Sequence, residues 1–102
     1  MSRNDTESDL ERQVVEYVES KGGEALKLRL DNRRGFPDRT ILLPGGVVLF
    51  LELKKPGGRL SHHQEQWLER MNRLGLRAMW SDNFERVKEE VDKILYFETR
   101  VI

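Results

Sequence analysis

The sequence predicts one α/β domain, in which a mixed β-sheet is flanked by helices and a further helix ends the chain. Apolar residues recur alternately at helical and strand spacing, without an internal repeat or a linker. Pro44-Gly45-Gly46 joins two β-rich runs as a hairpin, and a helical segment between two later strands indicates a βαβ crossover. The 102 residues suit a single core, because typical domains contain roughly 100–150 residues.

The first two elements follow from apolar spacing near the N-terminus. Leucine and valine at three- and four-residue intervals predict a helix over about residues 8–21, which Gly22-Gly23 ends. Residues 25–30 then alternate leucine with basic side chains, which is typical of a half-buried strand.

The hairpin strands are predicted over residues 38–43 and 47–54. The second strand is the most apolar segment of the chain and is interrupted only by Glu52. An almost continuous apolar run predicts a central strand that is covered on both faces.

The C-terminal half continues with a helix, a strand and a helix. Ser61 begins the first helix, with Gln64 at its third position, and Gly75 ends it. Residues 76–80 form a short strand. The cap of the last helix is one of Ser81, Asp82 and Asn83, and its inward residues are Phe84, Val87, Val91 and Leu95.

Composition excludes several classes of protein. The chain has no cysteine, which excludes disulfides and thiolate metal sites and fits a reducing compartment. No apolar run approaches the roughly 20 residues of a membrane helix, and the polar start does not resemble a signal peptide. We therefore expect a cytoplasmic protein whose residues 1–7 are flexible.

The net charge is zero, but the charges are unevenly distributed. Residues 1–24 carry three basic and seven acidic side chains, residues 25–59 carry eight and three, and residues 60–102 carry seven and eight. The basic middle segment surrounds Asp38 and Glu52 and is either a solvated surface or a groove for a phosphate backbone. The candidate DNA-binding residues are Arg33, Arg34, Lys55 and Arg59, with Lys27 and Arg29 beside them.

Two carboxylates stand where the core is expected. Glu52 and Lys54 are two residues apart on a strand and so share one face. Counting back across the hairpin turn places Asp38 opposite Glu52 or one step off register. Opposed carboxylates in a core need a compensating cation, which Lys54 supplies in part and a divalent metal such as Mg²⁺ would complete.

Glu11 and Gln64 are two further inward-facing polar residues. Glu11 lies on the valine face of the first helix, although acids early in a helix more often face water. Gln64 lies on the apolar face of its helix, although with Ser61 it also matches a capping box that needs no catalytic role.

Taken in order, these residues resemble the VRR-NUC branch of the PD-(D/E)XK nuclease superfamily. The matching parts are Glu11, "GFPD" at 35–38, "ELK" at 52–54 and "SHHQ" at 61–64. The resemblance spans about residues 8–80 and looks like that of a small stand-alone, phage-type member. It implies a restriction-endonuclease-like αβββαβ core. It also implies metal ligands at Glu11, Asp38, Glu52 and the backbone carbonyl of Leu53, with catalytic roles for Asp38, Glu52, Lys54 and Gln64.

The implied activity is hydrolysis of DNA phosphodiester bonds with Mg²⁺, for which Mn²⁺ would substitute. The expected enzyme is a structure-selective endonuclease, with Holliday-junction resolution as one option, and its location is the host cytoplasm if a phage encodes it. We expect a homodimer, built on an apolar tail of Ile94, Leu95, Tyr96, Phe97, Val101 and Ile102. The alternative is a catalytically inactive module of the same fold that binds DNA or a protein.

Overall fold

The fold has the predicted order of elements. The structure is a computed structural model that describes the backbone of residues 6–100 and the side chains of residues 6–97. Its elements are α1 (Glu7–Ser20), β1 (Glu24–Lys27), β2 (Arg39–Leu43), β3 (Val47–Leu53), α2 (His62–Arg73), β4 (Arg77–Ser81) and α3 (Phe84–Arg100).

The four strands form one mixed sheet in the order β1-β2-β3-β4. The β1–β2 and β2–β3 pairs are antiparallel, whereas β3 and β4 are parallel and are connected through α2. The predicted hairpin turn is present, with Gly45 and Gly46 at φ of 93° and 81°. Glycine suits both positions because other residues are strained at such angles.

The sheet separates two layers of helices. Helices α1 and α3 pack against each other on one face, and α2 lies on the other face with Leu68 and Met71 buried. The main core therefore lies between the sheet and the α1–α3 layer. Its buried residues are Leu10, Val14, Val18, Ile41, Leu43, Val47, Leu49, Leu51, Leu53, Val87, Val91 and Ile94.

Strand β1 is shorter than the predicted strand over residues 25–30. It ends at Lys27, which pairs with Arg39, the first residue of β2. The residue two positions before Arg39 is Pro37, which has no backbone N–H to extend the pairing. Leu28 and Leu30 therefore lie outside the sheet and are 45% and 44% exposed.

Only one face of β3 is fully covered, so the prediction of two covered faces is wrong. Leu49, Leu51 and Leu53 are buried towards the α1–α3 layer. On the opposite face Val48 is 37% exposed and Phe50 is half-buried, whereas Glu52 is buried. Helix α2 is too short to cover the whole sheet and shields mainly the end that carries Glu52.

The termini differ in part from expectation. Thr6 caps α1 by accepting a hydrogen bond from the Asp9 N–H. The helix therefore begins within residues 1–7, the stretch expected to be flexible, and residues 1–5 of that stretch lie outside the described residues. Asn83 is the cap of α3, because its Oδ1 accepts from the Arg86 N–H at 3.2 Å.

The predicted apolar tail is divided between core and surface. Ile94 is buried and Leu95 packs against the core, so these two residues stabilise the single chain. Tyr96 and Phe97 are 58% and 51% exposed, and Val101 and Ile102 lie outside the described residues. Within the described part of the chain, no helix has the length and apolar composition needed to cross a membrane.

Candidate active site

Asp38 is positioned by the two residues before it. The ring of Phe36 meets the rings of Phe50 and Trp67 edge-on, with centroids 5.8 Å and 5.3 Å apart, and Pro37 is fully buried. Asp38 thus leaves a fixed segment just before β2. Because Arg39 pairs with Leu51, continuing the register by one residue places Asp38 across from Glu52.

Glu52 is the buried member of this carboxylate pair, at 2% exposure. Its Oε2 accepts a hydrogen bond from Gln64 Nε2 at 3.2 Å and lies 3.6 Å from Lys54 Nζ. Its Oε1 is also buried and accepts no hydrogen bond from the described residues. An unpaired buried carboxylate oxygen is unfavourable, so this atom is poised to gain a partner.

The pKa of Glu52 is raised from its ordinary value of 4.5 to about 7, and burial of the carboxyl group is the largest cause. The nearby negative charge of Asp38 contributes to the rise, whereas Lys54 opposes it. Glu52 is therefore partly protonated near neutral pH, and a bound cation would displace that proton.

Gln64 has two structural roles through one side-chain amide. Its Oε1 accepts from the Ser61 N–H at 2.8 Å, and its own N–H donates to Ser61 Oγ at 3.2 Å, which completes the capping box of α2. Its Nε2 donates to Glu52. The capping box and the contact with the carboxylate, which the sequence left as alternatives, therefore coexist, and a catalytic role for Gln64 stays a prediction.

Gly35 allows the segment before Asp38 to touch α2. Its φ is 84°, and a Cβ at this position would lie 2.5 Å from the carbonyl carbon of His63 and 2.7 Å from the backbone nitrogen of Gln64. No other residue fits both the backbone angle and the space. This contact brings "GFPD" against the same helix end that carries Gln64.

Glu11 lies in the same cleft as Asp38 but is held by basic residues. The cleft has a volume of about 370 Å³. Glu11 Oε1 accepts hydrogen bonds from Arg39 Nε at 3.2 Å and Nη2 at 3.0 Å, and Lys27 Nζ is 3.5 Å away. Among residues 6–97, no three acidic or histidine side chains come close enough to form a ready metal cluster.

The predicted DNA-binding residues divide into three places. Arg33 lines the cleft together with Lys27 and Arg29, and the same cleft is also lined by the acidic residues Glu7, Glu11 and Asp38. Arg34 lies in a second, smaller groove beside α2. Lys55 and Arg59 are exposed on the segment between β3 and α2.

Two residues near the site were missed in the sequence. Arg39 binds both Glu11 and the carbonyl oxygen of Ala25, and its position inside a β-strand opposite an inward-facing acid was the available signal. The second is Trp67, whose Nε1 donates to the carbonyl oxygen of Arg34 at 2.8 Å. Nothing in the spacing of the sequence indicates this contact.

The carboxylate pair fits a divalent cation. Asp38 and Glu52 supply the oxygen donors that Mg²⁺ prefers, and the unpaired Glu52 Oε1 lacks only a positive partner. The contacts of Glu11 with Arg39 and Lys27 are made by its Oε1, so Glu11 would contribute directly or through water with its Oε2. Its ligand role, that of the Leu53 carbonyl and the catalytic roles of Asp38, Glu52 and Lys54 stay predictions.

Comparison with known proteins identifies the family and supports the fold. The model of the VRR-NUC domain matches residues 2–81. A similar protein of Acyrthosiphon pisum secondary endosymbiont phage 1, named "Putative nuclease p44", is 35% identical over 77 residues, which cover 76% of this chain and 83% of that protein. A solved VRR_NUC domain structure is 30% identical, with a TM-score of 0.78 over 84% of this chain and 94% of that chain. The chain belongs to the VRR-NUC family of nuclease domains.

Proposed function

We propose that this protein is a divalent-metal-dependent nuclease that hydrolyses phosphodiester bonds in DNA. The observation that carries the proposal is the carboxylate pair. Buried Glu52 faces Asp38, keeps one oxygen without a hydrogen bond and has Lys54 at 3.6 Å. A structural protein gains nothing from such a pair, whereas a cation and a phosphate would complete it.

The residues of the site divide the work by their chemistry. Asp38 and Glu52 would hold a divalent ion, which would supply Lewis-acid polarisation of a phosphate oxygen. Lys54, which is 19% exposed at its side chain, can orient a water molecule or neutralise the charge that develops on the phosphate. Gln64 holds Glu52 in place, and the basic residues that line the cleft, Lys27, Arg29 and Arg33, would contact the DNA backbone.

A cleavage assay tests the proposal. The wild-type protein should cut DNA with Mg²⁺ or Mn²⁺ and not with EDTA, and Asp38→Asn and Lys54→Met should lower the rate by at least about 100-fold, as is typical for loss of one catalytic group. Asp31→Asn and Lys93→Met make the same chemical changes at exposed positions outside the site and should cut normally. Cleavage that survives in both site variants would refute these assignments.

We further propose that the substrate is branched or otherwise structured DNA, cut internally in the cytoplasm by a homodimer. Two copies would supply the paired cuts that a symmetric four-way junction requires. The exposed ring of Phe97 and exposed Leu74, at 51% and 71%, offer apolar surface for a second copy. Light scattering of the wild type and of Phe97→Asp tests the dimer, and a panel of duplex, flap, splayed and four-way substrates tests the selectivity.

A second candidate function is a DNA- or protein-binding module without catalysis. The observation that favours it is the engagement of Glu11 by Arg39 and Lys27, which leaves the pair without a third acid. The same assay separates the two functions. A binding module would retain DNA or a protein partner without cleavage in any metal, whereas a nuclease would lose cleavage selectively in the Asp38 and Lys54 variants.

A further inference from the structure

A second groove lies on the other side of the segment that leads to Asp38. We call it the α2 groove; its volume is about 90 Å³, roughly three times that of one water in the liquid. It therefore has room for a small anionic group. Its lining residues are Arg34, His63, Gln66, Trp67 and Arg70.

The α2 groove concentrates positive charge in a protein of zero net charge. Two of its five lining residues are arginines and none is acidic. The remaining polar side chains, His63 and Gln66, are exposed and can donate hydrogen bonds. Arginine with neutral donors is the composition that phosphate recognition uses most.

The indole of Trp67 contacts both arginines, Arg34 at its backbone and Arg70 at its guanidinium. Trp67 Nε1 donates to the carbonyl oxygen of Arg34 at 2.8 Å, which fixes the backbone that carries the first guanidinium. The second guanidinium, that of Arg70, lies 5.0 Å from the centre of the Trp67 ring. The other side of this arrangement is fixed by Phe36, whose ring meets Trp67 edge-on. A preorganised site loses less side-chain entropy when it binds an anion.

The groove is directly connected to the carboxylate pair. Arg34 precedes Gly35, which packs on the backbone of His63 and Gln64, and Gln64 donates to Glu52. Arg34 and Asp38 are four residues apart, so their Cα atoms are separated by at most about 14 Å. At roughly 3.4 Å of duplex axis per base step, this upper limit spans at most about four base steps.

We propose that the α2 groove binds a second backbone phosphate of the DNA, a few nucleotides from the phosphate that reaches Asp38 and Glu52. The inference rests on the proposed nuclease function for its ligand. It assigns the arginine pair to positioning of the strand, not to chemistry. The groove should therefore change how tightly DNA binds.

Binding without cleavage isolates this contribution. Fluorescence anisotropy of a labelled DNA duplex in EDTA would compare wild type with Arg34→Gln and Arg70→Gln. Each variant should bind several-fold more weakly, and its salt slope should be smaller by about 0.9. The ratio of wild-type to variant affinity should therefore shrink about threefold between roughly 50 and 200 mM salt.

Two further variants separate a local effect from general charge loss. Arg73→Gln removes the same charge at an exposed position of α2 outside the groove and should change affinity and slope much less. Gln66→Glu changes the charge of the groove by the same amount without removing either arginine, and should also weaken binding. Urea midpoints equal to that of the wild type would show that these variants are folded.

The outcomes for the groove and for the nuclease are distinguishable. Wild-type affinity and slope in the groove variants overturn the inference even if the protein cleaves DNA. Weakened binding in these variants without cleavage in any metal supports the groove and refutes the nuclease. A third outcome is that free inorganic phosphate stabilises the wild type but not Arg70→Gln, while both proteins bind DNA equally. This outcome would overturn the DNA assignment in favour of a free-phosphate site.

Discussion

Replacing Glu52 with glutamine should stabilise the metal-free protein at alkaline pH. The pKa of this buried carboxyl is raised from 4.5 to about 7, so the folded state binds its proton more tightly than the unfolded state does. At about 1.4 kcal/mol for each tenfold change in proton affinity, the ionised form costs about 3 kcal/mol above pH 7. The wild type therefore loses stability as pH rises from 4.5 through about 7, and Glu52→Gln should not.

Urea unfolding in EDTA measures this difference. At about pH 5 wild type and Glu52→Gln should differ by less than about 1 kcal/mol, because this pH is only slightly above the pKa of 4.5 for the unfolded carboxyl group. At about pH 8 the variant should be more stable by about 3 kcal/mol, which corresponds to roughly 10 °C or more in Tm. Glu69→Gln, the same change at an exposed position of α2, is the control. A gap that is independent of pH, or a variant less stable at pH 8, would refute the reasoning.

Three further predictions follow from the same contacts. In a thermal scan, Mg²⁺ or Mn²⁺ should raise the Tm of the wild type more at about pH 8 than at pH 6, because binding must displace the Glu52 proton. Asp38→Asn should abolish this rise in Tm. Gly35→Ala should lower the free energy of unfolding by about 3 kcal/mol, because the new Cβ would strain the backbone and overlap with α2. Gly75→Ala, at a similar φ but in open space, should lower it by only about 1 kcal/mol. Equal values from urea unfolding would refute the overlap. A double-mutant cycle with Arg39→Ala and Glu11→Ala should give a coupling of about 1–2 kcal/mol, and additive effects would show that their hydrogen bonds do not stabilise the fold.

The order of elements was predictable because each element has a signal within its own short stretch of sequence. Apolar spacing, the Pro-Gly-Gly turn and the capping box of α2 are all short-range signals, and all appear in the structure. The residue at which β1 ends was not predictable, because it depends on where the partner strand β2 begins. The exposure of Val48 likewise depends on how far α2 reaches across the sheet, which its own sequence does not state.

The carboxylate pair was predictable from strand geometry, since the hairpin register fixes which residues face each other. The position of Glu11 was only half predictable. Its helical face was evident, but α1 packs on the opposite face of the sheet from α2, where Arg39 provides a closer partner than the pair does. The face of the sheet on which a helix packs is set by the whole fold. Residues that belong to one sequence motif therefore need not contact each other in the structure.

The side-chain amide of Gln64 couples the first turn of α2 to the position of the Glu52 carboxylate. Fraying of the first helical turn would release the Ser61 N–H from Oε1 and withdraw Nε2 from the carboxylate at the same time. A ligand that immobilises Glu52 must then slow hydrogen exchange at the backbone amides of Ser61 and Gln64. The end of a helix thus becomes a spectroscopic reporter of occupancy at a carboxylate on the neighbouring strand.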